Sequence, residues 1–155
     1  MNIIGIRCTP KIIYYSIIQF DDDDTFSVIN QILIVPKSFN IPDKLKYIRK
    51  TMLEIFKEYN IKRAGIRIIE NNAQTPDRFR LMLEAVIQEL IASSYVESYF
   101  TGLKGSIRAK LAIDDNSEIT KLIEGVSIFY NITDWVNFST EHRECILVGF
   151  ASSNI

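Results

Sequence analysis

Cysteine, histidine and tryptophan are nearly missing from this chain, with two, one and one copies among 155 residues. Cys8 and Cys145 cannot form a disulfide framework, and they read as two buried thiols in a reducing compartment. A single histidine and no Cys/His cluster leave no metal site with the usual ligand spacing. No apolar run approaches the roughly 18 residues of a membrane span, and no basic segment leads into a signal-type core. The chain is therefore expected in the cytoplasm, away from membranes. Neither sign of charge dominates: 18 Lys and Arg face 19 Asp and Glu, so no overall field draws nucleic acid and any anion site must be local.

What is present describes one domain spanning residues 1–155, long enough for a single core. Its 47% apolar and 24% charged residues are the proportions of a globular domain rather than a disordered or fibrous chain. Asn2 to Arg7, Lys11 to Phe20 and Ser27 to Val35 are rich in Ile, Val and Tyr and predict an antiparallel meander. Asp21 to Asp24 lies between the second and third strands. Adjacent aspartates in a strand point to opposite faces, so this run reads as a solvated turn rather than a metal site. Beyond Pro36 and Pro42 the apolar period becomes helical over Asp43 to Tyr59, with Lys46, Arg49, Lys50 and Lys57 mostly outside the stripe. A fourth strand at Arg63 to Ile69 then requires a parallel, right-handed crossover. Thr75, followed by Pro76, predicts the cap of a helix running to about Ala92. A fifth strand is expected at Tyr95 to Phe100, and a helical region at Thr101 to Ile113 carries Lys104, Arg108 and Lys110. The period of Glu118 to Phe138 assigns no element. Ser139 or Thr140 can cap a last helix carrying Glu141, Cys145, Ile146, Leu147, Val148 and Phe150.

One tripeptide occurs twice. Gly5-Ile6-Arg7 and Gly65-Ile66-Arg67 each stand in or at the end of a predicted strand, so adjacent strands would bring two arginines to one sheet edge. Two convergent guanidinium groups suit bidentate recognition of phosphate, and Lys104 and Arg108 are a second place for phosphate contact. The competing reading pairs Arg7 and Arg67 with Glu144 as an internal ion pair. His142 has no nucleophile placed beside it and reads as an exposed residue near a helix start. Cys145 reads as packed. Phe129, Tyr130, Trp135 and Phe138 could stack bases, but fit core packing or a dimer contact better.

The element order, together with these motifs, resembles the ribonuclease H-like superfamily, and within it the small RuvC-type Holliday-junction resolvase domains and bacterial domains related to them. The resemblance covers essentially the whole chain on short motifs. It implies an α/β fold: a ribonuclease H-like mixed five-stranded sheet with three antiparallel N-terminal strands and helices on both faces. In the family a first-strand hydrophobic-Gly-hydrophobic pattern ends in an acid, whereas here Ile4-Gly5-Ile6 is followed by Arg7. The fourth-strand acid is likewise replaced after Gly65-Ile66 by Arg67, with Phe79, Leu81, Glu84, Ala85 and Val86 falling in the family's next helix. Arg143-Glu144-Cys145-Ile146 matches the last-helix motif, and Glu144 is the one acid retained in this register.

The family's carboxylates hold divalent cations, a role a permanently cationic arginine cannot take. The leading expectation is thus a pseudoenzyme, a RuvC-like domain without catalysis or cofactor that binds nucleic acid or a protein partner. A second reading is a magnesium- or manganese-dependent nuclease using displaced carboxylates, Glu70 and Glu144 with one of Asp21 to Asp24. Against it, Glu70 is three residues beyond Arg67 and would face the other side of a straight strand. A third reading is a structural protein that forms homodimers or larger assemblies.

Overall fold

The computed structural model describes residues 1–21 and 25–154. β1 (Asn2–Cys8), β2 (Ile12–Phe20) and β3 (Phe26–Ile34) form the expected antiparallel meander. Of the acidic run between β2 and β3, Asp22 to Asp24 lie outside the described residues. α1 (Ile41–Glu58) crosses over to β4 (Ile61–Arg67), which pairs in parallel with β1. α2 (Arg78–Ser93) leads to β5 (Ser98–Gly102), parallel to β4, giving the sheet order β3-β2-β1-β4-β5. α3 (Lys104–Lys110), α4 (Asn116–Glu124), a 3-10 turn at Trp135–Asn137 and α5 (Thr140–Ser153) complete the chain. The predicted fold class is the observed one.

Several boundaries differ from the sequence reading for local reasons. Asn40 caps α1 through its side chain, which accepts from the Asp43 N–H, so the helix starts two residues before Asp43. Thr75 does not cap α2. Asp77 does, accepting from Arg80 N at 2.8 Å and setting a full negative charge at the positive end of the helix. The fifth strand begins at Ser98 rather than Tyr95, because Ser94 and its hydroxyl first take the carbonyl of Ile91 at the end of α2. The segment without readable period contains α4, stopped by Gly125 at φ 78°, followed by a coil with Tyr130, Asn131 and Asp134 in the left-handed region. Such a chain has no sustained repeat.

Strand alternation divides the core in two. Ile4, Ile6, Ile13, Ile17, Ala64 and Ile66 point toward α1 and α2, where they meet Ile48, Met52, Leu83 and Ile87. Ile3 and Ile18 point the other way, toward Ile107, Ile119, Trp135, Ile146 and Val148. α5 is buried continuously from Arg143 to Ser152, lying against β1, β4 and β2. Its approach to the sheet is closer than side chains permit. A methyl at Gly5 would sit 1.7 Å from the Cys145 carbonyl oxygen, and one at Gly65 2.2 Å from that of Val148. The two glycines face each other in the β1/β4 register, so the repeated Gly-Ile-Arg makes a bare strip on which α5 lies.

Candidate functional site

β1 and β4 end side by side with Arg7 opposite Arg67, both on the α5 face. α5 presents Glu144 between them. Glu144 Oε2 lies 2.8 Å from Arg67 Nε and 3.4 Å from Arg7 Nε. The three side chains are only 9 to 15% exposed. Their contact is Coulombic more than directional: neither Nε–H is aligned on Oε2, and these three buried atoms have no well-formed hydrogen bond. The outer guanidinium nitrogens are better held. Arg7 Nη1 donates to Cys8 O at 2.8 Å, Arg67 Nη1 donates to Ile68 O, and Arg67 Nη2 meets Glu70 Oε1 at 2.7 Å.

Glu70 corrects the expectation that it faces away. β4 stops at Arg67, the straight-strand alternation ceases there, and the chain turns Glu70 back onto the arginine. The same Oε1 accepts from the backbone N–H of Lys104 at 2.9 Å, joining the start of α3 to the network. The structure therefore brings Arg7, Arg67, Glu70 and Glu144 together. Of Lys104 it brings only the backbone. The Lys104 ammonium donates to Thr120 Oγ1 at 2.5 Å, and Arg108 Nη1 donates to the carbonyls of Ile113 and Asp114 at 2.9 Å each. Both cations lie on the helix beside the network and neither has a carboxylate ion-pair partner among the described residues. Two guanidinium groups balanced by two carboxylates form the neutral centre, with Lys104 and Arg108 as further cations on α3.

This centre does not fit a catalytic metal. Its two carboxylates are both committed to Arg67, which stands between them, and a divalent ion would meet two permanent positive charges. Among the described residues no three His, Cys, Asp or Glu side chains are grouped to hold an ion.

The other singled-out residues have structural positions. His142 is half-buried rather than exposed. Its Nε2 donates to the Gln31 carbonyl, which can only accept, at 2.9 Å, and Nδ1 lies 3.0 Å from Ser139 Oγ. It ties the α5 start to β3. Cys145 and Cys8 are fully buried, and burial pushes both thiols well above the usual range, with Glu144 and Glu84 respectively adding to it. Trp135 is core, its Nε1 donating to Leu122 O at 3.0 Å, whereas Tyr130 is 62% exposed beside Phe26 and Phe150. A cleft of about 460 Å³ opens there, with Phe26, Val28, Tyr130, Ile132 and Phe138 in its wall.

Two buried ionic groups escaped the sequence reading. Glu84 accepts from Arg80 Nε and from Ile69 N, both at 2.9 Å, tying α2 to the end of β4; the i,i+4 Arg/Glu spacing was its one visible signal. Arg143 donates to the carbonyls of Ile123, Trp135 and Phe138, clasping the irregular segment before α5. No local spacing announces those partners.

The sheet order, the parallel β1/β4 pair and the helix crossing their ends define a ribonuclease H-like fold of the RuvC type. Among solved structures the chain is similar to RuvC of Thermus thermophilus, at a TM-score of 0.71 and 7% identity over 99% of this chain and 94% of that one. The same enzyme in complex with Holliday junction substrate aligns at a TM-score of 0.67 and 6% identity, with the same coverage. The yeast mitochondrial Holliday junction resolvase aligns at 0.59 and 11% identity, over 97% of this chain and 77% of its own. No protein-family model and no curated protein sequence matches the chain.

Proposed function

We propose that this chain is a catalytically inactive RuvC-like domain that works by binding, with nucleic acid as its ligand. The observation that carries the proposal is the Arg7–Glu144–Arg67–Glu70 network at the joined ends of β1 and β4, where cation-binding chemistry would need carboxylates free of guanidinium partners. Lys104 and Arg108, which have no carboxylate partner among the described residues, supply from the neighbouring helix the local positive charge that a phosphate backbone requires. The fold of a protein captured on Holliday junction substrate supports nucleic acid over a small anion as the ligand.

Fluorescence anisotropy against single-stranded, duplex and four-way DNA and matching RNA, across a salt series, tests this reading. Binding should weaken steeply with salt and fall further in Lys104→Ala/Arg108→Ala, while incubation with magnesium or manganese leaves the strands intact. Metal-dependent cleavage abolished by Glu70→Gln would instead establish the displaced-carboxylate nuclease.

A further inference from the structure

The basic face of α1 divides once the chain is folded. Arg49 is taken by Glu89 at 2.8 Å, and the Lys44 ammonium stands over the Phe79 ring at 5.3 Å from its centroid. Lys46 and Lys50 have no carboxylate partner among the described residues, and both line an open pocket of about 300 Å³ together with Phe39, Asp43 and Tyr47. We propose that this pocket is a second nucleic-acid contact, which takes one unpaired base of a single strand and holds the neighbouring phosphates on Lys46 and Lys50. The inference rests on the nucleic-acid reading and extends it to residues that reading does not use.

The parts of the pocket match those of a nucleotide. Phe39 and Tyr47 are 43% and 37% exposed and meet edge to face, with centroids 6.1 Å apart and planes at 87°. Such a pair uses a face of one ring only, so within the pair both faces of the other are free to stack a base. Asp43, Lys46, Tyr47 and Lys50 follow at i, i+3, i+4 and i+7 and share one outer stripe of α1, opposite the buried Ile48, Met52 and Phe56. Lys46 and Lys50 are about 6 Å apart along the helix axis, so their flexible ammonium groups can take two phosphates of one strand. The Asp43 carboxylate decides between anionic ligands. It repels an aspartate or glutamate side chain entering the pocket, whereas a base brings N–H donors for it to accept. In a duplex those donors and the ring faces are consumed by pairing and stacking, and only a single strand offers both.

The pocket also lies at the relevant end of the molecule. β3 leaves the sheet at Ile34, opposite Ile12 and beside the end of β1, so the first turns of α1 stand at the same end of the sheet as Arg7, Arg67 and the start of α3. α3 flanks that end on the α5 face and α1 on the other. A strand crossing the end of the sheet can meet both.

Fluorescence anisotropy with single-stranded and duplex DNA separates the two contacts. Phe39→Ala/Tyr47→Ala alters exposed rings, so it should leave the melting transition nearly in place and duplex binding unchanged, yet weaken single-strand binding by about tenfold or more. Lys46→Gln/Lys50→Gln should lower the slope of log affinity against log salt for a single strand by about 1.4. A strand carrying a photoreactive base should cross-link to Phe39 or Tyr47. If Phe39→Ala/Tyr47→Ala binds single strands like the parent, or every cross-link maps elsewhere, the inference falls and the α3 contact stands. If that variant loses the single strand while Lys104→Ala/Arg108→Ala binds unchanged, the α3 contact falls and the α1 pocket stands. An acidic aromatic peptide that occupies the pocket, with no strand cross-linked there, overturns the inference in favour of a protein ligand. A chain that binds no strand removes both contacts.

Discussion

Arg67 has three partners, Glu144, Glu70 and the Ile68 carbonyl, and its side chain is 9% exposed. Removing it strands the Glu144 carboxylate in a buried place with Arg7 alone at 3.4 Å. Arg67→Ala should therefore cost about 3 to 5 kcal/mol of unfolding free energy, the usual penalty for breaking a buried ion pair from one side. Arg7→Ala should cost less, since its contact is longer and its side chain 15% exposed. Urea unfolding compares the two, and equal stability of Arg67→Ala and the parent would remove the network's structural role. At the protein surface, Arg49 holds the Glu89 carboxyl down to about 2 through a side-chain hydrogen bond, helped by Ser93. Because the folded value lies below the ordinary 4.5, the stabilisation is complete above that pH and disappears as pH falls through about 2. A carboxyl carbon NMR titration should place the Glu89 midpoint near 2, and Arg49→Ala should return it toward 4.5. The sequence disclosed the meeting of Arg7 and Arg67 because strand pairing follows from a repeated pattern. It did not disclose Glu70, whose position depends on where β4 stops.

At the scale of elements, the contact of α5 with β1 and β4 rests on missing side chains. Gly5→Ala would drive a methyl into the Cys145 carbonyl, which belongs to helix backbone and cannot swing aside. It should destabilise by more than about 3 kcal/mol, beyond ordinary overpacking. Gly105 offers the control. A methyl there meets nothing within 4 Å, inside α3, so Gly105→Ala should be neutral or stabilise by up to about 1 kcal/mol. Differential scanning calorimetry of the two variants should move Tm in opposite directions or leave Gly105→Ala unmoved; a small loss in Gly5→Ala would mean the helix can withdraw. The first four strands and the helices α1 and α2 were legible because their apolar periods run through 7 to 18 residues. α4 and the coil after it were not, since nine helical residues followed by left-handed turns at Tyr130, Asn131 and Asp134 supply no repeat, and their order comes from Arg143 on a distant segment.

For the molecule as a whole, the sheet has one face built for α1 and α2 and the other for α3 to α5, and the arrangement follows the predicted fold class in every strand pairing. What the sequence could not convey was the balance of charge at the centre. Near neutrality overall is compatible with a cationic rim or with none, and only the folded chain separates Lys104 and Arg108 from the carboxylates that neutralise Arg7 and Arg67. Salt dependence of nucleic-acid binding should accordingly follow those two residues: restoring affinity with Lys104→Arg, but not with Lys104→Gln, would tie it to charge at that position.

The glycine strip also governs how the protein is made. β1 is synthesised well before α5, the helix that lies on it, which begins only at Thr140. At about 5 to 20 residues per second, Ile3 and Ile18 wait on the order of ten seconds with one face of their meander uncovered. Closure of this face of the core must wait for α5, and the nascent chain spends that interval as a client for whatever shields apolar strands.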